Sequence, residues 1–403
     1  MDRPAIVHVS ADFPDCLGAN KTHAISNLIA ATPEFDHFVY SINRVPTWNG
    51  IESVQYSENG IAIAYGAPSK GLFLRSRMEA LGDWVVDDMR LRGRRVDVVH
   101  AHKLTMEGIA GRRIADAMHV PFICSVQADT DIKIMRARPD LRACFRHIWN
   151  TADYVVPFSP RARTEMTASL GERNGRISLL PCITDQDEML AAFPVANSHF
   201  VSIFHFSSYV RKNAKGLIRA IEIASREHPN IELDIFGTGT PEDLRAMRGL
   251  LKSPAARERV HLRGPLPREM LQRQIQKYVA FVMPTRRESY GMVYVESLLA
   301  GVPILQSKGW GIHGLFADRD VGYSCDPGSI EDIKDGLLHL LKNEAALKRG
   351  IAKRQRAGEF DILRRDSIAM EYRRIIATVA SNVAAVDLSP PNKSNTATPS
   401  QHA

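Results

Sequence analysis

The chain has 403 residues, 44% hydrophobic and 24% charged, the balance of a soluble globular protein and too long for one ordinary core. No run approaches the ~20 uninterrupted apolar residues that cross a bilayer, and the N-terminal MDRPAIVHVSADFPD lacks a signal-peptide pattern, so a cytoplasmic location is expected. Five scattered cysteines without a C-x-x-C pair argue against a disulfide framework or a zinc site, and a net charge of +7 suits an anionic partner.

In chain order, β-rich runs at 5–10, 37–42, 96–102, 121–126, 153–159 and 176–181 are separated by helical patterns at 22–31, 71–91 and 106–118. Several runs are apolar on successive residues, as expected of parallel strands covered on both faces. The pattern then restarts. Runs at 199–207, 231–237, 260–264, 279–285, 302–307 and 321–325 alternate with helical patterns at 214–227, 241–251, 267–277, 291–300, 329–342 and 344–357. This βαβ grammar predicts an α/β chain with two Rossmann-like, doubly wound halves. The first is placed at 1–190 and the second at 191–365, with the polar stretch 185–198 at the junction. A final helix is predicted over 366–382, and the polar, Pro-containing 383–403 is predicted to be disordered.

The strongest chemical signal is VAFVMPTRRESYGMVYVESLLAGVPILQS, residues 279–307. A strand ends at Pro284 and Thr285, a polar turn carries Glu288 and Ser289, and a helix runs from about Gly291 to Ala300, where Gly301 stops it. The free N–H groups around Gly291 and Met292 suit a phosphate, and Gly291 lets a ligand approach the backbone. Glu296 falls on the border of the buried face marked by Met292, Val295 and Leu299, where a carboxylate is costly unless paired. A ribose diol would pair with it. A nearby arginine would serve as well, with Glu288 then capping the helix electrostatically.

The segment E-S-Y-G-M-V-Y-V-E-S-L-L-A-G-V-P-I resembles the signature of the retaining glycosyltransferases of family 4, which have the GT-B fold of two Rossmann-like domains facing across a cleft. The likeness covers most of 95–340, with V-D-V-V-H-A-H, A-D-Y-V-V-P-F-S and F-G-T-G in the expected order. It implies retaining transfer of a sugar from a nucleotide-sugar to a hydroxyl acceptor, saccharide or lipid-linked, in polysaccharide or glycolipid biosynthesis. By this resemblance Glu288 contacts the donor sugar, Glu296 the ribose, and the amides of Ser289, Tyr290, Gly291 and Met292 the distal phosphate and sugar. Lys212, with Arg211 as helper and Lys215 as rival, meets the charge on the departing diphosphate. Many members carry an arginine where this chain has Phe206. Gly237 is expected near the nucleotide base, and the final helix is expected to brace the first domain.

On the acceptor side, the family's Gly-Gly loop is reduced to Gly18, and Lys21 then faces an anionic acceptor, the donor phosphate or only solvent. The family's His-Gly is replaced by Gln127-Ala128. A D-x-D at Asp129–Asp131 recurs at 185–187 and 318–320 and so says little; no required metal and no cofactor are expected. His100 and His102 read as histidines satisfied at a strand end. The arginine-rich helix at 71–92 fits peripheral contact with an anionic membrane or the cover of a sheet. The rival readings are a nucleotide-sugar 2-epimerase of the same fold and a non-catalytic GT-B partner subunit. A nicotinamide dehydrogenase would need G-x-G-x-x-G after the first strand, and nucleic-acid binding rests on charge alone, so no nucleic-acid partner is expected.

Overall fold

The computed structural model describes residues 3–18, 21–46, 50–68 and 71–386, with backbone alone at 318–319 and 382–386. The apolar runs become strands of two separate sheets. The first sheet holds β1 (Ala5–Ser10), β2 (Asp36–Val45), β3 (Ile51–Ser57), β4 (Gly60–Gly66), β5 (Val98–Ala101), β6 (Phe122–Val126), β7 (Tyr154–Pro157) and β8 (Arg176–Ile177). Their spatial order is β3-β4-β2-β1-β5-β6-β7-β8. Every neighbouring pair is parallel except the β3–β4 hairpin. The second sheet holds β9 (His199–Ile203), β10 (Glu232–Phe236), β11 (Val260–Gly264), β12 (Ala280–Val282), β13 (Ile304–Ser307) and β14 (Gly322–Cys325). Its order is β11-β10-β9-β12-β13-β14, all parallel. Strand order reverses at β1 in one sheet and at β9 in the other, and such switch points open a crevice at the C-terminal strand ends. These are the two doubly wound halves that the alternation predicts.

Helices α1 (Ala24–Ala30), α2 (Leu74–Leu91), α3 (Met106–Met118), α4 (Asp129–Ala137), α5 (Arg142–Thr151) and α6 (Pro160–Leu170) belong to the first half. The second half has α7 (Ala214–Ala224), α8 (Pro241–Arg248), α9 (Pro254–Arg259), α10 (Leu271–Ile275), α11 (Met292–Leu299), α12 (Asp318–Val321) and α13 (Ile330–Arg356). On α2, Leu74, Met78, Leu81, Val85 and Met89 are buried at helical spacing, so this helix covers the sheet. Two of its flanking arginines are spent on carboxylates, Arg75 on Glu79 and Arg92 on Asp88.

The last helix, α14 (Arg365–Val386), returns to the first half. Its stripe of Ile368, Tyr372, Ile375, Ile376 and Val379 is buried together with Ile6, Val98, Ile123 and Val156. Tyr372 Oη lies 3.1 Å from His100 Nδ1, and His100 Nε2 is 2.8 Å from Ser125 Oγ. Beside them a histidine chain crosses the sheet. His37 Nε2 is 2.9 Å from the Thr32 carbonyl oxygen, which only accepts, so this nitrogen carries the proton. His8 Nε2 then donates to His37 Nδ1 (2.9 Å), and His102 Nε2 to His8 Nδ1 (3.0 Å). Burial holds all these imidazoles below their ordinary pKa, hence neutral.

Several elements differ from expectation. The β3–β4 hairpin and helices α4, α5, α6 and α9 were not foreseen, and the run at 176–181 pairs only over Arg176–Ile177. The two helices expected at 329–342 and 344–357 are one, because Asn343 sits inside the helix with its amide donating back to the His339 carbonyl (2.9 Å). Disorder from residue 383 is also corrected: α14 continues to Val386, and 387–403 lie outside the described residues. Among the described residues, no helix is long and apolar enough to cross a membrane.

Candidate active site

The C-terminal strand ends of both sheets face a cavity of about 520 Å³. One wall is the junction between β12 and α11. Gly291 opens the helix at φ +82°, and a Cβ there would lie 2.5 Å from Tyr294 Cδ2 and 3.2 Å from Glu288 Cγ, so only glycine fits. No side chain caps this helix and no acid stands in its first turn, which leaves its N–H groups for an anion. The preceding loop is tied down. Ser307 Oγ donates to the Thr285 carbonyl (2.6 Å), and Gly311 N–H to that of Glu288 (3.3 Å).

The loop after β9 supplies cations. Arg286 N–H donates to the Arg211 carbonyl (2.9 Å), and Thr285 Oγ1 lies 3.0 Å from the same oxygen, so the two loops position each other. Asn213 takes a left-handed φ of 57° and donates to the Pro327 carbonyl (2.9 Å). Lys212 is thereby aimed at Glu288, to which its Nζ is directly bonded, while Arg211 Nη1 stands 3.9 Å from the other carboxylate oxygen. Glu288 is buried, and these two cations compensate it. Lys215 is exposed and outside the cavity wall.

Ser289, Tyr290, Gly291 and Met292 line the same cavity, as do Lys21 and Gln127 from the first half. Lys21 is already paired with Asp15 at 2.6 Å. Burial works to raise the Asp15 carboxyl, but bonds from Asn43, Lys21, Ser41 and Gly18 N–H outweigh it and bring it down to about 2. Gly18 lies behind this lysine, where a Cβ would stand 2.5 Å from Lys21 Cε and displace the end of that side chain. Gln127 precedes Ala128, a non-glycine residue at φ 67°, ψ −69°, and Asp129 N–H closes that turn onto the Gln127 carbonyl (3.0 Å). Such strain gathers where a chain must aim groups at a site.

Gly18, Gly237 and Glu296 stand outside the cavity wall. A Cβ at Gly237 would collide with the Phe204 carbonyl oxygen and the Phe206 ring, so Phe206 fills this space with a buried aromatic. Glu296 is 5% exposed. Burial, then the charge of Asp185, push its carboxyl up to about 8, against the backbone of Gln186 and Asp185, which favours the ionised form. The two aspartates of the D-x-D are separately engaged. Asp131 accepts from Thr105 N–H, Thr105 Oγ1 and Gln127 N–H, whereas Asp129 pairs across the cleft with Arg287 at 2.9 Å.

Sequence reasoning missed Asp12 and His205, which both line the cavity. Asp12 stands two residues beyond the end of β1, and its position just past a strand's C-terminal end was the available signal. It pairs at 2.7 Å with buried Lys103, which also meets Glu107 at 3.1 Å. Burial pushes the Glu107 carboxyl up to about 7, while the two carboxylates hold Lys103 protonated.

Comparison with known proteins identifies the family and the fold. Residues 192–359 match the family described as Glycosyl transferases group 1, and residues 47–182 match the Glycosyl transferase 4-like domain. The chain is 21% identical over 292 residues to N-acetyl-alpha-D-glucosaminyl L-malate synthase of Bacillus anthracis, covering 70% of this chain and 74% of that protein. It is 21% identical over 359 residues to D-inositol 3-phosphate glycosyltransferase of Corynebacterium diphtheriae, covering 80% and 81%. Its fold matches sucrose-phosphate synthase of Thermosynechococcus elongatus with a TM-score of 0.72 at 17% identity, covering 95% and 100% of the two chains. Two doubly wound domains, a cationic loop facing a helix N-terminus, and family matches on both halves lead to one conclusion: the chain belongs to the group 1 glycosyl transferases and is a GT-B glycosyltransferase.

Proposed function

We propose that the enzyme moves a sugar from a nucleoside-diphosphate sugar to a hydroxyl acceptor with retention of configuration, in polysaccharide or glycolipid biosynthesis. The observation that carries this reading is the meeting of Lys212, Glu288 and the uncapped N-terminus of α11 on one cavity between the domains. The diphosphate sits against the amides of Gly291 and Met292, and Lys212 with Arg211 takes up the charge that grows on the leaving oxygen. No metal is required for that step in this reading, since two cations already stand there. Glu288 orients the donor sugar through its hydroxyls. Gly237 lies towards the base, and Glu296 receives the ribose once the 185–186 backbone gives way. Lys21 and Gln127 face the acceptor, with Gly18 behind Lys21, and the acceptor hydroxyl passes its proton to the departing phosphate.

Slow hydrolysis of a panel of nucleotide-sugars, followed by NMR, tests the reading. One nucleotide-sugar should release its diphosphate, with the sugar initially formed keeping the donor's anomeric configuration. Lys212→Ala should lower that rate by roughly 10²–10³, as loss of a transition-state charge partner does. Release with inversion, or release unaffected by Lys212→Ala, contradicts it.

A further inference from the structure

A second cavity, of about 410 Å³, lies where α4 and α6 approach the loops after β12 and β13. Asp129, Lys133 and Arg136 reach it from α4 at i, i+4 and i+7, one helical face. Arg161 comes from α6, and Arg287, Lys308 and Trp310 from the second domain. Its charge is lopsided. Arg287 is paired with Asp129 at 2.9 Å and Lys308 with Asp332 at 3.2 Å, but Lys133 and Arg136 have no ion pair among the described residues.

Arg161 is the most constrained of these cations. Its guanidinium carbon stands 3.9 Å from the centroid of Trp310, and the side chain is 11% exposed. Its Nη1 is buried without an acceptor, and the nearest carboxylate, Glu165, is 3.8 Å from Nη2. A guanidinium stacked on an indole has its plane fixed and keeps its N–H edge for a forked bond to a carboxylate or phosphate. A solvated basic patch would not seat an arginine this way. The cavity also adjoins the donor site, because Arg287 precedes Glu288 and its partner Asp129 follows the Gln127–Ala128 turn.

Resting on the transfer reading above, we propose that this second cavity receives an anionic group, a phosphate or carboxylate, carried by the acceptor. Arg161 forks the anion, Arg136 and Lys133 supply charge from α4, and Trp310 brings the second domain onto the bound acceptor. The acceptor's reactive hydroxyl then points past Arg287 towards Glu288.

Calorimetry with glucose 6-phosphate and glucose, and sedimentation with phosphatidylcholine vesicles with and without phosphatidylglycerol, separate a free anion from a lipid headgroup. Glucose 6-phosphate should bind and glucose should not, or only the anionic vesicles should bind. Either result keeps the anionic class and assigns its source. Arg161→Gln and Arg136→Gln should each weaken that binding roughly tenfold or more, with nucleoside diphosphate affinity unchanged. Arg136 is exposed, so its variant leaves the fold intact. Failure of every anionic probe to bind, or equal binding by both variants, overturns the proposal. If the anion binds as stated while no nucleoside diphosphate does, the cavity stands and the transfer reading falls; the reverse pattern overturns the cavity alone.

Discussion

Replacing Glu296 by glutamine keeps the shape of the side chain and removes its ability to ionise, which turns its burial into a measurable pH dependence. The folded protein holds the Glu296 proton up to about 8, whereas the unfolded chain releases it near 4.5. Between those values the folded state binds more protons than the unfolded one, so stability falls as pH rises. Each unit is about 1.4 kcal/mol, and the loss saturates above pH 8 on the order of 4–5 kcal/mol, an upper bound because the 185–186 backbone can swing to admit water. Glu296→Gln carries no such loss. Urea unfolding should therefore give the variant and the wild type similar stability at pH 5, and a more stable variant at pH 9 by a few kcal/mol, with unchanged slopes. A constant offset across this range would refute the assignment of a buried, proton-holding carboxyl. Under the proposed function the same group reports on the ribose. Hydroxyls donating to Glu296 favour its ionised form, so nucleotide binding near pH 7 should release about one proton, read from calorimetry in buffers of different ionisation enthalpy.

Other expectations follow from single contacts. Lys215→Ala should leave donor hydrolysis within about twofold of wild type, because that lysine is exposed beyond the cavity, in contrast to the loss expected for Lys212→Ala. Gly291→Ala forces a Cβ against Tyr294 at φ +82°, and thermal or urea unfolding should show a cost of about 1–3 kcal/mol together with weakened diphosphate binding. Tyr372→Phe leaves His100 Nδ1 buried without its partner, for a cost of about 1–3 kcal/mol in the same assay, and no change in nucleotide affinity is expected.

The sheets were legible because their strands are buried on both faces and therefore apolar on successive residues; Ala5–Ser10 is buried throughout. In the β3–β4 hairpin, β3 was not, since Glu52 to Gln55 are all exposed on an edge strand and present no apolar period, whereas β4 is buried and apolar on successive residues and was missed although the same rule reads it. Helices α4 and α6 escaped for a related reason: each is short, rich in charge, and has only two or three buried side chains. Within the site, Glu288 and Gly291 could be read locally, because a strand, a turn and a glycine-opened helix are contiguous in sequence. Lys212 required a second loop, and only the structure shows that it lines the cavity while Lys215 does not. Pairs such as Asp129 with Arg287, or Arg161 with Trp310, depend on how two sheets face each other, and no local pattern encodes that. Phe206 marks a substitution whose consequence needed coordinates: the ring packs over Gly237, its Cβ lies against Gly239, and the cations set beside Glu288 are Arg211 and Lys212.

The most direct test of the central claim is a thermal-shift series with UDP, GDP, ADP and dTDP on the wild type and Lys212→Ala. At 100 times its dissociation constant, the correct nucleotide should add roughly 2.7 kcal/mol to the wild type and raise its Tm. The variant should lose most of that response. No shift with any nucleoside diphosphate at millimolar concentration, or an equal shift in Lys212→Ala, would contradict a donor site built from Lys212, Glu288 and the start of α11.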